Sequence, residues 1–399
     1  MTAERVLVLD GHTNQALASV RALGQAGHSV YVASQQRMPL AAWSRHCQDR
    51  FRLAGDTPAA FAALRLWAAA QGVGIVLPQR ERSCVLCAAE RAEWEAVGIV
   101  VGCGPEDMLL RAFDKGRTLE LARSCGVRIP PTCLPTSLAD CHRAAAAIGY
   151  PCIVKARFSD FWDGDCFVRD GGARYVADAA ALEAAVLACR QGNFWPVIQG
   201  FVPGRGKGVF ALCDQGEPVA WFAHERLRDV RPSGAASSLR RSVPLDPRLQ
   251  APAARLLSAI CWHGPAMVEF RDDEANDPCL MEVNGRFWGS LDLSVRSGVD
   301  FPNLWVRLLR GESVGPPADY ATGVTLRWLW GDAKRLLNVL AGAPPGCPEP
   351  YPRLWQGVRE VFGRQPPGTR SETWDAHDPW PAVGEWFGAA RDLWQRARQ

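Results

Sequence analysis

Apolar and polar positions alternate along the first hundred residues in a way that predicts strands joined by helices. Each short apolar run is followed by a helical pattern that ends at a glycine or polar residue, and then by another apolar run. Strands that alternate with helices predict a parallel sheet with helices on both faces. The predicted elements are strand 6–9, helix 15–26, strand 30–32, helix 59–71, strand 75–77, helix 82–97 and strand 99–101.

The pattern changes after residue 104. A polar turn at 214–217 separates two apolar runs, which is typical of a hairpin, and a proline-rich stretch at 343–352 predicts a linker. The fold is therefore expected to combine α/β and α+β parts. The predicted elements are helices 107–112, 115–125, 303–309, 333–340 and 383–396, and strands 149–156, 196–202, 209–213, 218–223, 266–270 and 279–284.

The two strands nearest residue 280 carry acidic side chains among apolar neighbours. Side chains alternate along a strand, so Glu282 and Asn284 share one face while Met281 and Val283 pack behind them. Glu269 lies in its own apolar run, upstream across a polar turn. Acids on the wet face of a hairpin are common, but two carboxylates and an amide oxygen also suit Mg²⁺ beside substrate phosphates. This group therefore predicts a metal site that serves a nucleotide.

Two lysines strengthen the prediction of a nucleotide site. Lys155 lies inside the apolar stretch 149–156, and a lysine in an otherwise buried strand is rarely there without an anionic partner. Lys115 begins a predicted helix, where the helix dipole disfavours a cation. That local conflict indicates a functional side chain, a role that Arg111 or Arg117 could share.

Taken in order, the two lysines, the apolar strand at 196–202 and the two acidic strands resemble the ATP-grasp superfamily over roughly residues 5–310. The resemblance is closest to its carbamoyl-phosphate-synthase-like, carboxylate–amine ligase branch. It implies a parallel α/β domain followed by a two-lobed ATP-grasp fold. The implied domains are a pre-ATP-grasp α/β domain (1–104), an N-terminal lobe with a helical connector and a small antiparallel sheet (105–195), a C-terminal lobe with the metal site (196–315), and a Trp-rich C-terminal extension packed on the body (316–399).

The resemblance also implies a role for each residue of the motif. Lys115 and Lys155 match the phosphate-contacting lysines, and Arg286 matches the arginine beside the transferred phosphate. Related ligases place the acyl substrate beside a stretch equivalent to 224–241, so Arg286, Lys155 and Arg226 are the expected catalytic residues. The implied metal ligands are Glu269, Glu282 and Asn284, and the implied adenine hinge is Gln199, Gly200, Phe201 and Val202.

The chain departs from the family pattern at several places. Gly200 stands where the family often has a glutamate. Gly285 replaces the proline between the asparagine and the arginine, which should loosen that turn. The glycine segments 163–165 and 170–172 lie near an aromatic stretch, 158–162. Either segment could cover the phosphates, and both could equally be hairpin turns.

Two further segments are candidates for recognising the substrates. The basic, hydroxyl-rich run 224–241 has the composition of a flexible surface loop, yet an arginine there could clamp a carboxylate through two hydrogen bonds. The turn at 10–14 lacks the Gly-x-Gly-x-x-Gly pattern of a dinucleotide site, which argues against NAD. The candidate clamps are Arg226, Arg228 and Arg240, and the strand-end residues that either face the cleft or cap helices are His12, Asn14, Arg80 and Glu81.

Composition adds limits on the class of protein. The chain has 399 residues, of which 48% are hydrophobic, and a net charge of +3, which suits several domains and gives no broad field for nucleic acid or membrane. With no transmembrane run and no signal peptide, we expect a cytoplasmic protein. The 14 cysteines lie mostly singly in apolar segments, as reduced core thiols do, and Cys84 and Cys87 are interpreted as one face of a helix rather than a zinc site.

These features together predict an ATP-dependent ligase. The resemblance implies that it joins a small-molecule carboxylate to an amine through an acylphosphate, with ATP and two Mg²⁺ ions, for which Mn²⁺ could substitute. A small-molecule kinase and a non-catalytic ATP-binding protein remain alternatives. Many of the 16 tryptophans lie in the C-terminal region, where docking onto the body is the simpler interpretation than binding of a sugar. A homodimer is the default expectation.

Overall fold

A computed structural model describes residues 3–163, 166–168, 172–234, 236–272, 276–315 and 319–396. Within these ranges the chain forms a parallel sheet, a small antiparallel sheet, a two-stranded hairpin and a seven-stranded sheet. The predicted mixture of α/β and α+β parts is therefore confirmed. Parts of the two glycine segments and of the polar turn before residue 276 lie outside the described residues, namely Gly164, Asp165, Asp170, Gly171, Asp273 and Glu274.

The N-terminal sheet is parallel throughout, in the order β3-β2-β1-β4-β5. Its central strands are the apolar runs, because strands covered on both faces need apolar side chains on both. Thr13 caps the first helix by accepting from Ala16 N over 3.3 Å. The elements are β1 Arg5–Val8, α1 Asn14–Gln25, β2 Ser29–Ser34, a 3-10 helix Leu40–Trp43, β3 Cys47–Arg52, α2 Pro58–Ala70, β4 Ile75–Leu77, α3 Glu81–Ala89, α4 Arg91–Ala96 and β5 Val100–Val101.

The predicted parallel sheet is confirmed, with two differences in its elements. Strand β3 is not among the predicted strands, because its polar sequence lies at the sheet edge and carries no apolar alternation. The single helix predicted at 82–97 is two helices, α3 and α4, which meet at Glu90. Cys84 and Cys87 lie buried on α3, as expected, and all fourteen cysteines of the chain are free thiols.

The next segment forms the helical connector and the small antiparallel sheet, in the order β10-β7-β11-β6. Asp114 caps α6 by accepting from Gly116 N over 2.9 Å, which places Lys115 at the first turn of that helix. The elements are α5 Glu106–Phe113, α6 Lys115–Ser124, β6 Thr132–Cys133, α7 Leu138–Ile148, β7 Cys152–Lys155, β8 Phe161–Trp162, β9 Phe167–Val168, β10 Ala173–Val176, α8 Ala179–Cys189 and β11 Val197–Gly200.

The remaining strands form the large sheet, in the order β16-β15-β12-β13-β14-β17-β18. Its first hairpin turns at Gln215 and Gly216, which both have positive φ, as a tight two-residue turn requires. The elements are β12 Arg205–Asp214, β13 Glu217–Asp229, β14 Ser237–Ser242, α9 Pro247–Ile260, β15 Gly264–Asp272, β16 Cys279–Asn284, α10 Leu291–Arg296, α11 Phe301–Leu309, β17 Thr325–Arg327, α12 Leu329–Ala341, α13 Leu354–Phe362, β18 Arg370–Ser371 and α14 Trp380–Arg396.

The loop composition of 224–241 is misleading. Strand β13 continues through Asp229 and β14 begins at Ser237, so most of this run is paired sheet. Several of its polar side chains are buried rather than solvated: Ser238 is 0% exposed and Arg240 is 2% exposed. A buried arginine is tolerated here because it pairs with Glu372, a partner that lies far away in sequence.

The C-terminal region is joined to the body on two sides. Strands β17 and β18 extend the large sheet beyond β14. On the other side, Arg21 of α1 forms a buried ion pair with Asp378 at 2.8 Å and donates to Thr373 O over 2.9 Å. The region therefore holds the N-terminal domain and the large sheet together. No helix in the described part of the chain is long and apolar enough to cross a membrane.

Candidate nucleotide and metal site

Strands β15 and β16 bring the predicted metal ligands onto one face of the large sheet. They pair antiparallel with Glu269 directly opposite Glu282, so the two side chains are neighbours. Asn284, two residues beyond Glu282, shares that face. Its amide Nδ2 donates to Glu282 Oε1 over 3.2 Å and to Glu269 Oε1 over 3.4 Å. The three side chains therefore converge on one point.

This point fits a hard cation shared with phosphates. Two carboxylates and an amide carry the oxygen atoms that Mg²⁺ prefers. Here Asn284 turns its N–H toward both carboxylates and its Oδ1 toward Arg286. Among the described residues, no group of three or more His, Cys, Asp or Glu side chains could hold a metal ion. A metal bound by Glu269 and Glu282 would therefore complete its coordination with phosphate or water oxygens.

Arg286 and Glu81 extend the cluster toward the N-terminal domain. Arg286 Nη2 donates to Asn284 Oδ1 over 3.1 Å and lies 3.7 Å from Glu81 Oε1. Glu81 is the first residue of α3 and is 5% exposed. Burial raises the pKa of the Glu81 carboxyl, while the charges of Arg286 and Lys115 oppose that rise. Glu81 is thus a third carboxylate close to the predicted metal ligands, supplied by a helix of the N-terminal sheet.

Two lysines approach the carboxylates from the segment before β11. Lys155 ends β7 and lines the cleft, and Lys115 Nζ donates to Ser159 Oγ over 3.1 Å. Burial acts to raise the pKa of Glu282, but the charges of Lys115 and Lys155 lead the interactions that bring it below its ordinary value. Glu282 is therefore ionised at neutral pH, as a metal ligand must be.

The pKa of Lys155 is also shifted, to a lower value. Burial lowers the pKa of its ammonium group to about 8, and the charges of Lys115 and Arg271 act in the same direction against those of Glu282 and Glu269. A phosphate bound beside this ammonium would favour the charged form and raise the pKa again. The charge of Lys155 is therefore sensitive to an anionic ligand.

The predicted adenine hinge is divided between buried and accessible residues. Gln199 is 1% exposed and its Nε2 donates to Thr132 Oγ1 over 3.0 Å. The Gly200 N–H donates to Pro131 O over 2.8 Å, so this amide is already used within the protein. Phe201 and Val202 line the cleft. An adenine in this cleft would therefore contact Phe201 and Val202 rather than Gln199 and Gly200.

The three candidate arginines separate into two groups. Arg226 lines the cleft, donates to Glu269 Oε2 over 2.7 Å, and lies opposite Arg240 in the pairing of β13 with β14. Arg240 also lines the cleft. Arg228 instead forms a buried ion pair with Asp332 at 2.8 Å. Arg226 and Arg240 therefore line the cleft, Arg240 with a largely buried side chain, whereas Arg228 does not line it.

One large cleft joins these groups, with a volume of about 1700 Å³. His12 and Asn14 of the N-terminal domain line it, which is one of the two positions predicted for them. Arg80 lies 3.7 Å from Asp160, outside the described cleft lining. The aromatic stretch packs on itself, with the rings of Phe158 and Phe161 5.4 Å apart. Its side chains therefore pack against one another beyond the end of β7.

Gly285 is required by close packing. A Cβ at this position would lie 2.2 Å from Trp262 Cη2, and Trp262 is 1% exposed. The indole cannot swing away into solvent, and its Nε1 donates to Pro265 O over 3.2 Å. The glycine thus lets the chain pass directly over a buried ring just after β16.

We expect Gly285→Ala to destabilise the protein by about 1–3 kcal/mol, because overpacking forces the buried indole or the backbone to shift. The midpoint of urea unfolding measures this change. Gly315→Ala is the matched control, since among the described residues no atom beyond its chain neighbours lies within 4 Å of a Cβ there. It should change stability by less than about 0.5 kcal/mol. Equal midpoints for the two variants would contradict the packing argument.

Two features of the cleft are not singled out by the sequence patterns. Arg271 lines the cleft, pairs with Glu349 at 2.5 Å and donates to Gly204 O over 2.7 Å. Lys334, in the C-terminal region, also lines it. The chain has only four lysines against many arginines, and two of the others are Lys115 and Lys155. That scarcity is a signal that could have drawn attention to Lys334.

Comparison with known proteins agrees with the fold prediction. Residues 198–331 match the family model described as ATP-grasp in the biosynthetic pathway with Ter operon. No curated relative matches the chain in sequence. Solved structures do match in fold, at low sequence identity.

Three of the similar structures show the extent of the match. The N5-carboxyaminoimidazole ribonucleotide synthetase from Thermus thermophilus is 18% identical, with a TM-score of 0.59 over 79% of this chain and 81% of that one. The biotin carboxylase domain dimer of Hydrogenobacter thermophilus 2-oxoglutarate carboxylase, in complex with MgADP, ADP and bicarbonate, is 17% identical, with a TM-score of 0.62 over 82% and 74%. The L-amino acid ligase from Bacillus licheniformis is 17% identical, with a TM-score of 0.58 over 80% and 76%. The predicted fold is confirmed, and residues 198–331 match an ATP-grasp family model.

Proposed function

We propose that this protein, whose residues 198–331 match an ATP-grasp family model, is an ATP-dependent ligase that joins a carboxylate to an amine. One observation carries the proposal: Glu269, Glu282 and Asn284 converge on one point, within the electrostatic reach of Lys115 and Lys155. The similar structures include enzymes named as a ligase and as synthetases, and one is a biotin carboxylase domain in complex with MgADP.

Charge neutralisation is the main task of the site. The γ-phosphoryl group of ATP and a carboxylate repel each other, so their reaction needs fixed positive charge where they meet. Lys115, Lys155 and Arg286 supply such charge from the protein. Mg²⁺ held by Glu269 and Glu282 would add Lewis-acid stabilisation of the phosphoryl oxygens.

The proposed reaction has two steps. A carboxylate oxygen attacks the γ-phosphorus, the bond to the bridging oxygen breaks, and ADP leaves. The amine nitrogen then attacks the acyl carbon of the acylphosphate, phosphate leaves, and the nitrogen gives up a proton. Arg226 would hold the carboxylate near the metal site through charge-assisted hydrogen bonds, because it already binds the Glu269 carboxylate there.

We expect ADP release from Mg-ATP to require both a pool of carboxylates and a pool of amines. The measurement is a coupled assay of ADP with each pool alone and with both. Release with carboxylates alone would favour a kinase over a ligase. Binding of Mg-ATP without release under any condition would support a non-catalytic ATP-binding protein. A homodimer is part of the proposal and is measured by light scattering.

A further inference from the structure

The C-terminal region adds a positively charged wall to the cleft, formed by Lys334 and the ring of Trp328. Lys334 lies beyond the segment that the family model matches. The matched segment ends at residue 331, whereas Lys334 on α12 lines the cleft beside Trp328. The Lys334 ammonium lies 4.8 Å from the Trp328 ring centroid and 5.6 Å from that of Trp330. Two ring faces therefore hold this cation at a defined place in the wall.

Arg240 lies next to this wall. The backbone N–H of Trp328 donates to Ser238 O over 2.7 Å, which attaches the start of α12 to β14 beside Arg240. Arg240 pairs with Glu372 and donates to Ser237 O over 2.8 Å. Burial raises the pKa of Glu372 to about 7, against the charge of Arg240. Arg240 is therefore held in place by a carboxylate behind the cleft lining.

The sheet sets the distance between this wall and the metal site. From β15, which carries Glu269, the sheet passes through β12 and β13 to β14, which carries Arg240. Three strand spacings amount to roughly 14 Å. Arg226 lies between them, bonded to Glu269 and opposite Arg240. A ligand several bonds long could therefore touch both ends.

The charges along the described cleft lining favour an anionic ligand. Nine cationic side chains face four carboxylates. Behind the lining, Glu81 and Glu372 pair with two of the cations, and Glu385 lies within electrostatic reach of Lys334. ATP bound with two Mg²⁺ ions carries no net charge, so it would leave this excess in place. The cations are Lys155, Arg174, Arg205, Arg226, Arg231, Arg240, Arg271, Arg286 and Lys334, and the carboxylates are Asp229, Glu269, Glu282 and Glu349.

We propose that the carboxylate substrate carries a second anionic group, a carboxylate or a phosphate type, which Arg240 and Lys334 bind at the end of the cleft away from the metal site. This inference rests on the proposed ligase function, because that function places the reacting carboxylate beside Glu269 and Arg226. The substrate is then an elongated dianion, with its second charge several bonds from the reacting group.

The test compares substrates with and without the second charge. The probes are the linear dicarboxylates from succinate to dodecanedioate, ω-phosphonocarboxylates of equal length, and the monocarboxylates of equal length. ADP release with Mg-ATP gives KM for each, and calorimetry with a non-hydrolysable ATP analogue and Mg²⁺ gives binding. We expect one dianion series to bind at least about tenfold more tightly than the monocarboxylates.

Variants of Lys334 test whether the wall causes the preference for dianions over monocarboxylates. Lys334→Gln should remove most of it, and Lys334→Arg should keep it. Arg359→Gln removes a positive charge from the exposed side of α13 and serves as the control. Equal use of mono- and dianions would overturn the inference while the ligase proposal stands. Dianion binding that weakens in Lys334→Gln without any ADP release would support the subsite and overturn the ligase proposal. Absence of binding by either class would overturn both.

Discussion

Glu282→Gln is expected to lower the rate of carboxylate-dependent ADP release by about a thousandfold. Glutamine keeps the shape of the side chain but removes the charge that a divalent cation needs. The carboxylate is ionised in the protein because Lys115 and Lys155 offset the effect of burial. The measurement is kcat/KM for ATP at several Mg²⁺ concentrations, where the variant should also require more Mg²⁺.

Glu225→Gln is the control for this variant. Glu225 lies on β13 between two residues that line the cleft, so its side chain is on the other face of the sheet. It pairs there with Arg241 at 2.5 Å. Its removal should leave the activity within about twofold, since exposed pairs contribute little. A similar loss in both variants would show that carboxylates of this sheet matter for stability and not for the metal site.

Lys155→Gln is expected to lower kcat/KM for ATP by about a hundredfold, because it removes a charge-assisted contact with phosphate. The same lysine should shape the pH dependence. Its pKa is lowered to about 8 in the free protein, so the ammonium is charged below that pH and loses its proton above it. We expect kcat/KM for ATP to fall about tenfold per pH unit above pH 8.

The pH profile has an internal test. At saturating ATP the bound phosphates raise the pKa of Lys155, so kcat should fall only at higher pH than kcat/KM. Lys155→Arg stays charged throughout this range and should lose the fall near pH 8. A fall that persists unchanged in Lys155→Arg would assign it to another group.

Local patterns are enough to predict most elements around the site. Period-two alternation places Glu282 and Asn284 on one face, and the structure shows them hydrogen-bonded. Polar segments are wrongly interpreted as loops where distant residues of the chain bury them. The strand that holds Arg240 has the composition of a loop, and only its distant partner Glu372 explains its burial.

The sequence by itself determined most strands and helices of the N-terminal sheet, the parallel character of that sheet and the ATP-grasp resemblance, because these depend on local periodicity and ordered motifs. Only the tertiary structure decided that Glu81 meets Arg286 and that Lys334 lines the cleft. Such contacts join residues that lie far apart in the sequence, and periodicity carries no information about which distant elements pack together. The physical reason is that a side chain's partners are set by the packing of whole elements, whereas its face is set by its own strand or helix.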